Sequence, residues 1–366
     1  MAHDKLIRVL LLQDLATSNN WGGVQTMTHT LQLALQEQGF VVNALPWQHT
    51  KFGELLRVAR QSDVVVASHN FGPTYCGVAI KVLTRKPLVS WVHGPLLDVL
   101  NMSKASWWKR RRFKHVYGYV DRFVCVSKTT EDSLLGFLSE GRAPSTNIEK
   151  SSSASSEKTA RSVVIPNGVA PLADNGKHFA FDVQVPSTNL SIGYIGRLSE
   201  EKRPYLLLEA LRYLPVDTQL CIVGDGVLRQ ALEDSSKDLM ANGRLKFLGH
   251  QASSRDLYTP YQVTLLTSQY EGCPMTALES LACGVPCVGF PIPAMRELFG
   301  VDAPYLLAHD ETPQALATAI LNLARIPVKK VQEDMARILD KHSLRRFGSS
   351  WQSMLHDLIS PSARTA

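Results

Sequence analysis

The segment SQYEGCPMTALESLACGVPC, residues 268–287, carries two acids eight positions apart, Glu271 and Glu279. The run VTLLTS before it reads as a strand and QYEGC as a turn. Pro274 reads as the first helical residue, where a missing N–H costs nothing. The helix runs to about Cys283, Gly284 caps it and Pro286 prevents its continuation. A helix that starts at the carboxyl end of a parallel strand presents N–H groups and a positive dipole end, which suit an anion such as phosphate. Glu279 lies five residues in, at ~1.5 Å rise per residue, and Glu271 lies in the loop on the opposite side. Carboxylates are poor neighbours for phosphate but good acceptors for hydroxyls. A molecule with a central diphosphate and a hydroxyl-rich group at each end satisfies both acids, and a nucleotide sugar has that form. Either acid alone reads as a solvated surface glutamate.

A diphosphate needs cations. GYIGRLSEEKRP (193–204) supplies Arg197 and Lys202 directly after a strand, where both can converge on one crevice. Alone, this motif is an exposed basic turn. Gly22 and Gly23 follow the first strand and open the first helix, where glycine lets a backbone approach a ligand. That pair is not G-x-G-x-x-G, and GDGVLR (224–229) lacks the third glycine, so dinucleotide binding is disfavoured. Asn167 and Gly168 in VIPNGV read as a turn. His93 in SWVHGP ends an apolar strand and points at the same crevice, although a lone strand-end histidine is more often structural.

Together the motifs GGV (22–24), HG (93–94), VS (126–127), IPNGV (165–169), GRL-x3-K (196–202), VGDG (223–226), FLG (247–249) and EGCPMTALESLACGVPCV (271–288) resemble the family-4 retaining glycosyltransferases of GT-B fold. They stand in family order and span nearly the whole chain. The resemblance implies two Rossmann-like doubly wound domains facing across a cleft, with the nucleotide sugar held by the C-terminal domain. It also implies a catalytic set of His93, Arg197, Lys202 and Glu271. Arg197 and Lys202 bind the diphosphate, Glu279 the ribose, Glu271 and His93 the donor sugar. Gly22, Gly23, Gly224, Leu248, Gly272, Cys273, Pro274, Met275 and Thr276 complete the donor site. The eighteen aspartates contain no D-x-D pair. A metal-independent mechanism without cofactor follows, with the leaving phosphate helping to deprotonate the acceptor. Three departures surround the donor-sugar pocket: Ala170 after PNGV, Pro-Ile-Pro at 291–293, and Cys273 where a larger apolar residue is usual. Within the family the 265–287 segment looks closest to lipopolysaccharide-core galactosyltransferases and related envelope-glycan enzymes, which favours a UDP-hexose donor and a glycan or lipid-linked acceptor. A nucleotide-sugar epimerase of the same fold and a catalytically silent binder are the competing readings.

The elements that must position these residues follow from length and pattern. A chain of 366 residues exceeds one ordinary core. Strand candidates are Ile7–Leu12, Val41–Leu45, Val64–Ala67, Leu88–Val92, Phe123–Val126 and Val163–Ile165, then Leu190–Ile195, Leu220–Val223, Leu245–Leu248, Val263–Thr267 and Cys287–Phe290. Apolar runs separated by helices such as Val24–Gln38 mean parallel sheets. The expected domains are 1–170, completed by a C-terminal helix at 343–366, and 171–342. A Ser-rich stretch, 141–162, has too few apolar residues to bury and reads as a flexible insertion.

Residues 1–170 hold 20 Lys/Arg against 12 Asp/Glu, so an anionic surface is expected to face the first half. KASWWKRRRFKHVYGYV (104–120) concentrates that charge. On a helical wheel Arg110, Arg111 and Lys114 share one side, and Trp108, Phe113, Val116 and Val120 the other. The pattern suits an interfacial helix on an anionic membrane, against a core-packed helix with a solvated basic face; nucleic acid is a weaker reading. Six cysteines without a CxxC pair, no signal peptide and no span-length apolar run imply a cytoplasmic protein; the basic segment, with the envelope-glycan resemblance, implies a peripheral position on the inner face of the membrane.

Overall fold

The computed structural model describes residues 6–14, 23–140, 161–170, 189–251 and 255–360. They divide into two compact α/β units. The first takes the described residues up to Gly168 and those from Leu344 onward; the second is Val169–Ser343.

In the first unit β1 (Arg8–Gln13), β2 (Val41–Pro46), β3 (Val64–Ala67), β4 (Leu88–Val92), β5 (Arg122–Cys125) and β6 (Ser162–Val164) form a sheet ordered β2-β1-β3-β4-β5-β6. All its pairings are parallel. Every residue of β3 and β4 is buried, which is why those strands read as unbroken apolar runs. Edge strand β2 instead leaves Val41 and Asn43 exposed. In the second unit β7 (Ser191–Ile195), β8 (Gln219–Val223), β9 (Leu245–Gly249), β10 (Val263–Leu266) and β11 (Cys287–Gly289) form a parallel sheet ordered β11-β10-β7-β8-β9. Two doubly wound parallel sheets are thus present, as expected.

Chain order reverses direction once in each sheet, between β1 and β3 in the first and between β7 and β10 in the second. Loops leaving the carboxyl ends of neighbouring strands diverge at such a switch point and leave a crevice for a ligand. The first sheet places Asp14, after β1, and His69, after β3, on either side of its switch. The second places the 196–202 loop and the 267–274 loop there.

The last helix, Leu344–Ile359, returns to the first unit and buries Phe347, Trp351, Met354 and Leu355. Trp351 meets Trp91 of β4 edge-on at 5.1 Å. Each such side chain contributes about 2 kcal/mol by leaving water. A Cβ on Gly168 would lie 2.8 Å from Phe347 Cβ, so the small residue of the IPNGV turn is needed for this packing.

Two expectations need correction. Ser162 is not part of an insertion: it pairs with Phe123 in β6, and its hydroxyl donates to Glu131 Oε1 at 2.7 Å. Residues 141–160 lie outside the described residues, as does Gly22. The basic helix, Trp107–Tyr117, buries Phe113 and Tyr117, but Trp108 is 72% exposed and Trp107 59%. Trp108 stands five residues before Phe113, roughly 140° round the helix, so both cannot face the core. Arg110 and Lys114 turn back instead to Glu140, at 2.9 and 3.6 Å.

Candidate functional site in the second unit

The 200–203 segment and the 267–271 loop are laced together across the β7–β10 switch. Arg203 donates from Nε to the Thr267 carbonyl at 2.9 Å and from Nη2 to the Ser268 carbonyl at 2.8 Å. Its guanidinium also pairs with Glu311 at 2.7 Å and lies 5.2 Å from the Phe290 ring. In return Thr267 Oγ1 donates to the Lys202 carbonyl and the Gln269 N–H to the Glu201 carbonyl, both at 2.8 Å. This frame fixes Lys202 against the acid loop. Lys202 Nζ donates to Glu271 Oε1 at 2.5 Å, and the Ser268 hydroxyl donates to the same oxygen at 2.6 Å. The side chains are 26% and 14% exposed, so the pair is shielded from water on most sides but not sealed.

Lys202 and Glu271 are therefore brought together. The expectation gave Lys202 to a phosphate and Glu271 to hydroxyls; here each is the other's partner. Arg197 is exposed and its guanidinium has no ion-pair partner among the described residues.

The helix after the loop is Met275–Ala282, with Pro274 as its cap rather than its first residue. Gly284 adopts φ +83°, the left-handed geometry that ends such a helix. Gly272 and Pro274 are buried; Cys273, Met275 and Thr276 are half-buried. Glu279 is half-buried and accepts from the Tyr258 hydroxyl at 2.5 Å. Burial raises the Glu279 pKa, and the tyrosine's donation partly offsets that rise. Tyr258 is itself buried and its pKa is raised, by burial first and then by the charge of Glu279, so it stays protonated and donates.

Three loop ends close against one another beside this helix. Gly196 N–H donates to Val223 O, Leu198 N–H to Asp225 O, and Gly224 N–H to Gly249 O. A Cβ on Gly224, at φ +138°, would lie 1.9 Å from the Gly196 carbonyl oxygen. Close backbone approach thus accounts for this glycine before any ligand is considered. A shift in register places Val223 opposite Gly249, so Leu248 is the extra residue of a β-bulge and is 42% exposed. Among the described residues no group of three or more His, Cys, Asp or Glu side chains is arranged to hold a metal ion.

His93 and Gly23 belong to the first unit. Gly23 opens the Gly23–Glu37 helix and is exposed. His93 follows β4, and its Nε2–H donates to the Ser68 carbonyl at 2.9 Å. A carbonyl only accepts, so the proton sits on Nε2 and Nδ1 keeps its lone pair. Burial first, and then the neighbouring His69, hold the His93 pKa down at about 3, so the ring is neutral near pH 7. His69 stacks on it with centroids 6.3 Å apart, and Trp91 lies at 4.3 Å. Sequence reasoning passed over His69, Ser268, Arg203 and Tyr258. Arg203 and Ser268 flank the chosen motifs and could have been suspected. Nothing in the spacing connects Tyr258 to Glu279.

Residues 41–142 match the Glycosyltransferase Family 4 model, and residues 177–340 match the model for glycosyl transferases group 1. A GDP-mannose-dependent α-(1-6)-phosphatidylinositol dimannoside mannosyltransferase of Mycobacterium tuberculosis is 32% identical over 38% of this chain and 37% of its own. A UDP-Gal:α-D-GlcNAc-diphosphoundecaprenol α-1,3-galactosyltransferase of Escherichia coli is 31% identical over 34% of this chain and 35% of its own. The matched segments thus span only about a third of these curated relatives. The crystal structure of Anabaena HepE in complex with UDP and glucose superposes with a TM-score of 0.73 at 19% identity, over 96% of this chain and all of that one. At that identity the likeness is one of fold. Each unit of the chain therefore carries its own glycosyltransferase family match, on the two-sheet GT-B fold.

Proposed function

We propose that the protein is a retaining, metal-independent glycosyltransferase that moves a hexose from a UDP-sugar to a glycan or lipid-linked acceptor in envelope polysaccharide or lipopolysaccharide synthesis. The observation that carries this reading is the Lys202–Glu271 pair at the β7–β10 switch point, followed directly by the Met275–Ala282 helix with Glu279 on it. A diphosphate at the helix N-terminus competes with Glu271 for the Lys202 ammonium and gains the uncommitted Arg197. Both cations then stabilise the charge that grows on the phosphate as the glycosidic bond breaks. Glu271, released from Lys202, accepts from the sugar hydroxyls, and Glu279 accepts from the ribose. Neutral His93 offers Nδ1 as an acceptor to a sugar hydroxyl, not a charge to a phosphate. The names of the two relatives, one using UDP-Gal and one GDP-mannose, both specify lipid-linked acceptors, which supports an acceptor of that class.

A peripheral position on an anionic membrane, at its cytoplasmic face, belongs to the same reading. Among the described residues no helix is long and apolar enough to cross a membrane. The support is the Trp107–Tyr117 helix, with two exposed tryptophans beside exposed Lys109, Arg111 and Arg112.

The test incubates purified protein with a panel of UDP-hexoses and GDP-mannose and a lipid-linked acceptor, and follows the product by NMR. The expected product keeps the donor's α configuration and forms equally well in EDTA. A β-linked product overturns retention. An interconverted donor identifies an epimerase, and binding without turnover a silent binder. Activity lost in chelator and restored by Mn²⁺ overturns metal independence.

A further inference from the structure

Glu279 has one hydrogen-bond donor among the described residues, and it comes from a segment 21 residues earlier in the chain. Tyr258 follows a 3₁₀ turn at Arg255–Leu257 and leads into β10. Its ring is packed with Val223, Leu257, Tyr261, Cys283 and Val285, an apolar cluster that fixes the ring whatever its hydroxyl does. The Tyr258 hydroxyl ends 2.5 Å from Glu279 Oε2. The other ionisable groups bearing on this tyrosine are the thiols of Cys283 and Cys287, both buried, with Cys287 pushed up to about 12 by burial. Glu279 thus has no cation paired with it among the described residues. Its charged form is held by this one O–H···O⁻ bond.

We propose that Tyr258 is a positioning residue for the nucleotide ribose: by holding Glu279 Oε2 it orients Oε1 to accept from ribose hydroxyls. This rests on the reading of Glu279 as the ribose acceptor. The physical logic is that a half-buried carboxylate lacking its donor either protonates or rotates toward water. A protonated carboxyl gives up acceptor capacity, and a rotated one loses its aim. A tyrosine anchored by its ring prevents both without adding a positive charge that would compete for the diphosphate.

The test is binding of UDP and 2′-deoxy-UDP, and of GDP and 2′-deoxy-GDP, to the wild type, Tyr258→Phe, Glu279→Gln and the double variant by calorimetry, with donor kinetics in parallel. Phenylalanine keeps the ring in its cluster, so Tm should stay close to wild type. The expected result is a roughly tenfold rise in donor KM with kcat within about twofold, and a fall in the ribo/deoxy preference toward one. The double variant should bind like Glu279→Gln alone, since the hydroxyl acts through that carboxylate. A Tyr258→Phe variant that keeps the full ribo/deoxy preference while Glu279→Gln loses it overturns the positioning role, and so does additive behaviour in the double variant. A Glu279→Gln variant that keeps the preference overturns the ribose assignment itself, a separate failure.

Discussion

The two units carry their cations differently. In the second, Lys202 is committed: an acid, a hydroxyl on that acid and a frame built by Arg203 hold it within 2.5 Å of Glu271. In the first, the Trp107–Tyr117 helix divides its charges. Arg110 and Lys114 fold back onto Glu140, while Lys109, Arg111 and Arg112 stand exposed with no ion-pair partner among the described residues. A preorganised pair sacrifices freedom to fix atoms for one small ligand. An exposed row fixes nothing and suits a broad, fluid, anionic partner. The difference is between a site and a surface, although both stretches read simply as basic in sequence.

Breaking the committed pair should have the largest effect. Lys202→Ala and Glu271→Gln should each lower kcat/KM by about a hundredfold, and Arg197→Ala by at least about tenfold. Lys202→Ala should also cost about 2 kcal/mol of stability, because it leaves a largely buried carboxylate with a single hydroxyl partner. Arg197→Ala should cost almost none, since that side chain is already exposed. Steady-state kinetics and urea unfolding of the three variants check this. Equal stability losses at 197 and 202 would erase the distinction between committed and uncommitted cations.

The first unit has its own committed group, held neutral rather than charged. Burial holds the His93 imidazole down at about 3 in the folded protein, against ~6.5 for a free histidine. Below pH 6.5 the unfolded chain binds a proton that the folded one refuses, so stability present above pH 6.5 is lost as pH falls toward 3. The loss by pH 4 should be on the order of 2 kcal/mol, discounted for partial exposure of the ring. His93→Gln should remove that acid limb. Unfolding midpoints from pH 7.5 to 4 measure it, and an unchanged limb in the variant would assign it to other groups.

The sequence made the sheets legible because strands buried on both faces are unbroken apolar runs. Strand ends moved by a residue or two, as for Arg122–Cys125 against the expected Phe123–Val126. The acid-bearing loop was legible because Pro274, Gly284 and Pro286 punctuate it. What pairs with what was not. The Lys202–Glu271 bond spans 69 residues and the Tyr258–Glu279 bond 21, and neither separation leaves a periodic trace. The basic helix misled for another reason. The helical wheel groups Trp108 with Phe113, yet five residues set the two roughly 140° apart, so the tryptophan faces out.

The smallest effects should appear on that helix, and they should divide by residue. Arg111 and Arg112 are exposed, and their guanidiniums lie 5.3 Å from the Trp107 ring and 5.6 Å from the Tyr75 ring. Each cation near an anionic bilayer contributes on the order of 1 kcal/mol, and the neighbouring Trp107 and Trp108 rings suit the headgroup boundary. Replacing Arg111 and Arg112 by Gln should weaken partitioning onto phosphatidylserine-containing liposomes roughly thirtyfold at low salt, leaving Tm within about 1 °C. Replacing Arg110 and Lys114 by Gln should do the reverse, lowering stability by no more than about 1 kcal/mol while binding falls less. Salt should weaken the wild type toward the Arg111/Arg112 variant, since exposed charges are screened over ~10 Å at 0.1 M. Neither variant should change nucleotide affinity, because the residues proposed to hold the nucleotide lie in the second unit. Wild-type protein that ignores anionic liposomes at low salt would leave a solvated basic face. Equal losses in the two variants would mean that Glu140 does not divide the cations in solution as it does in this structure.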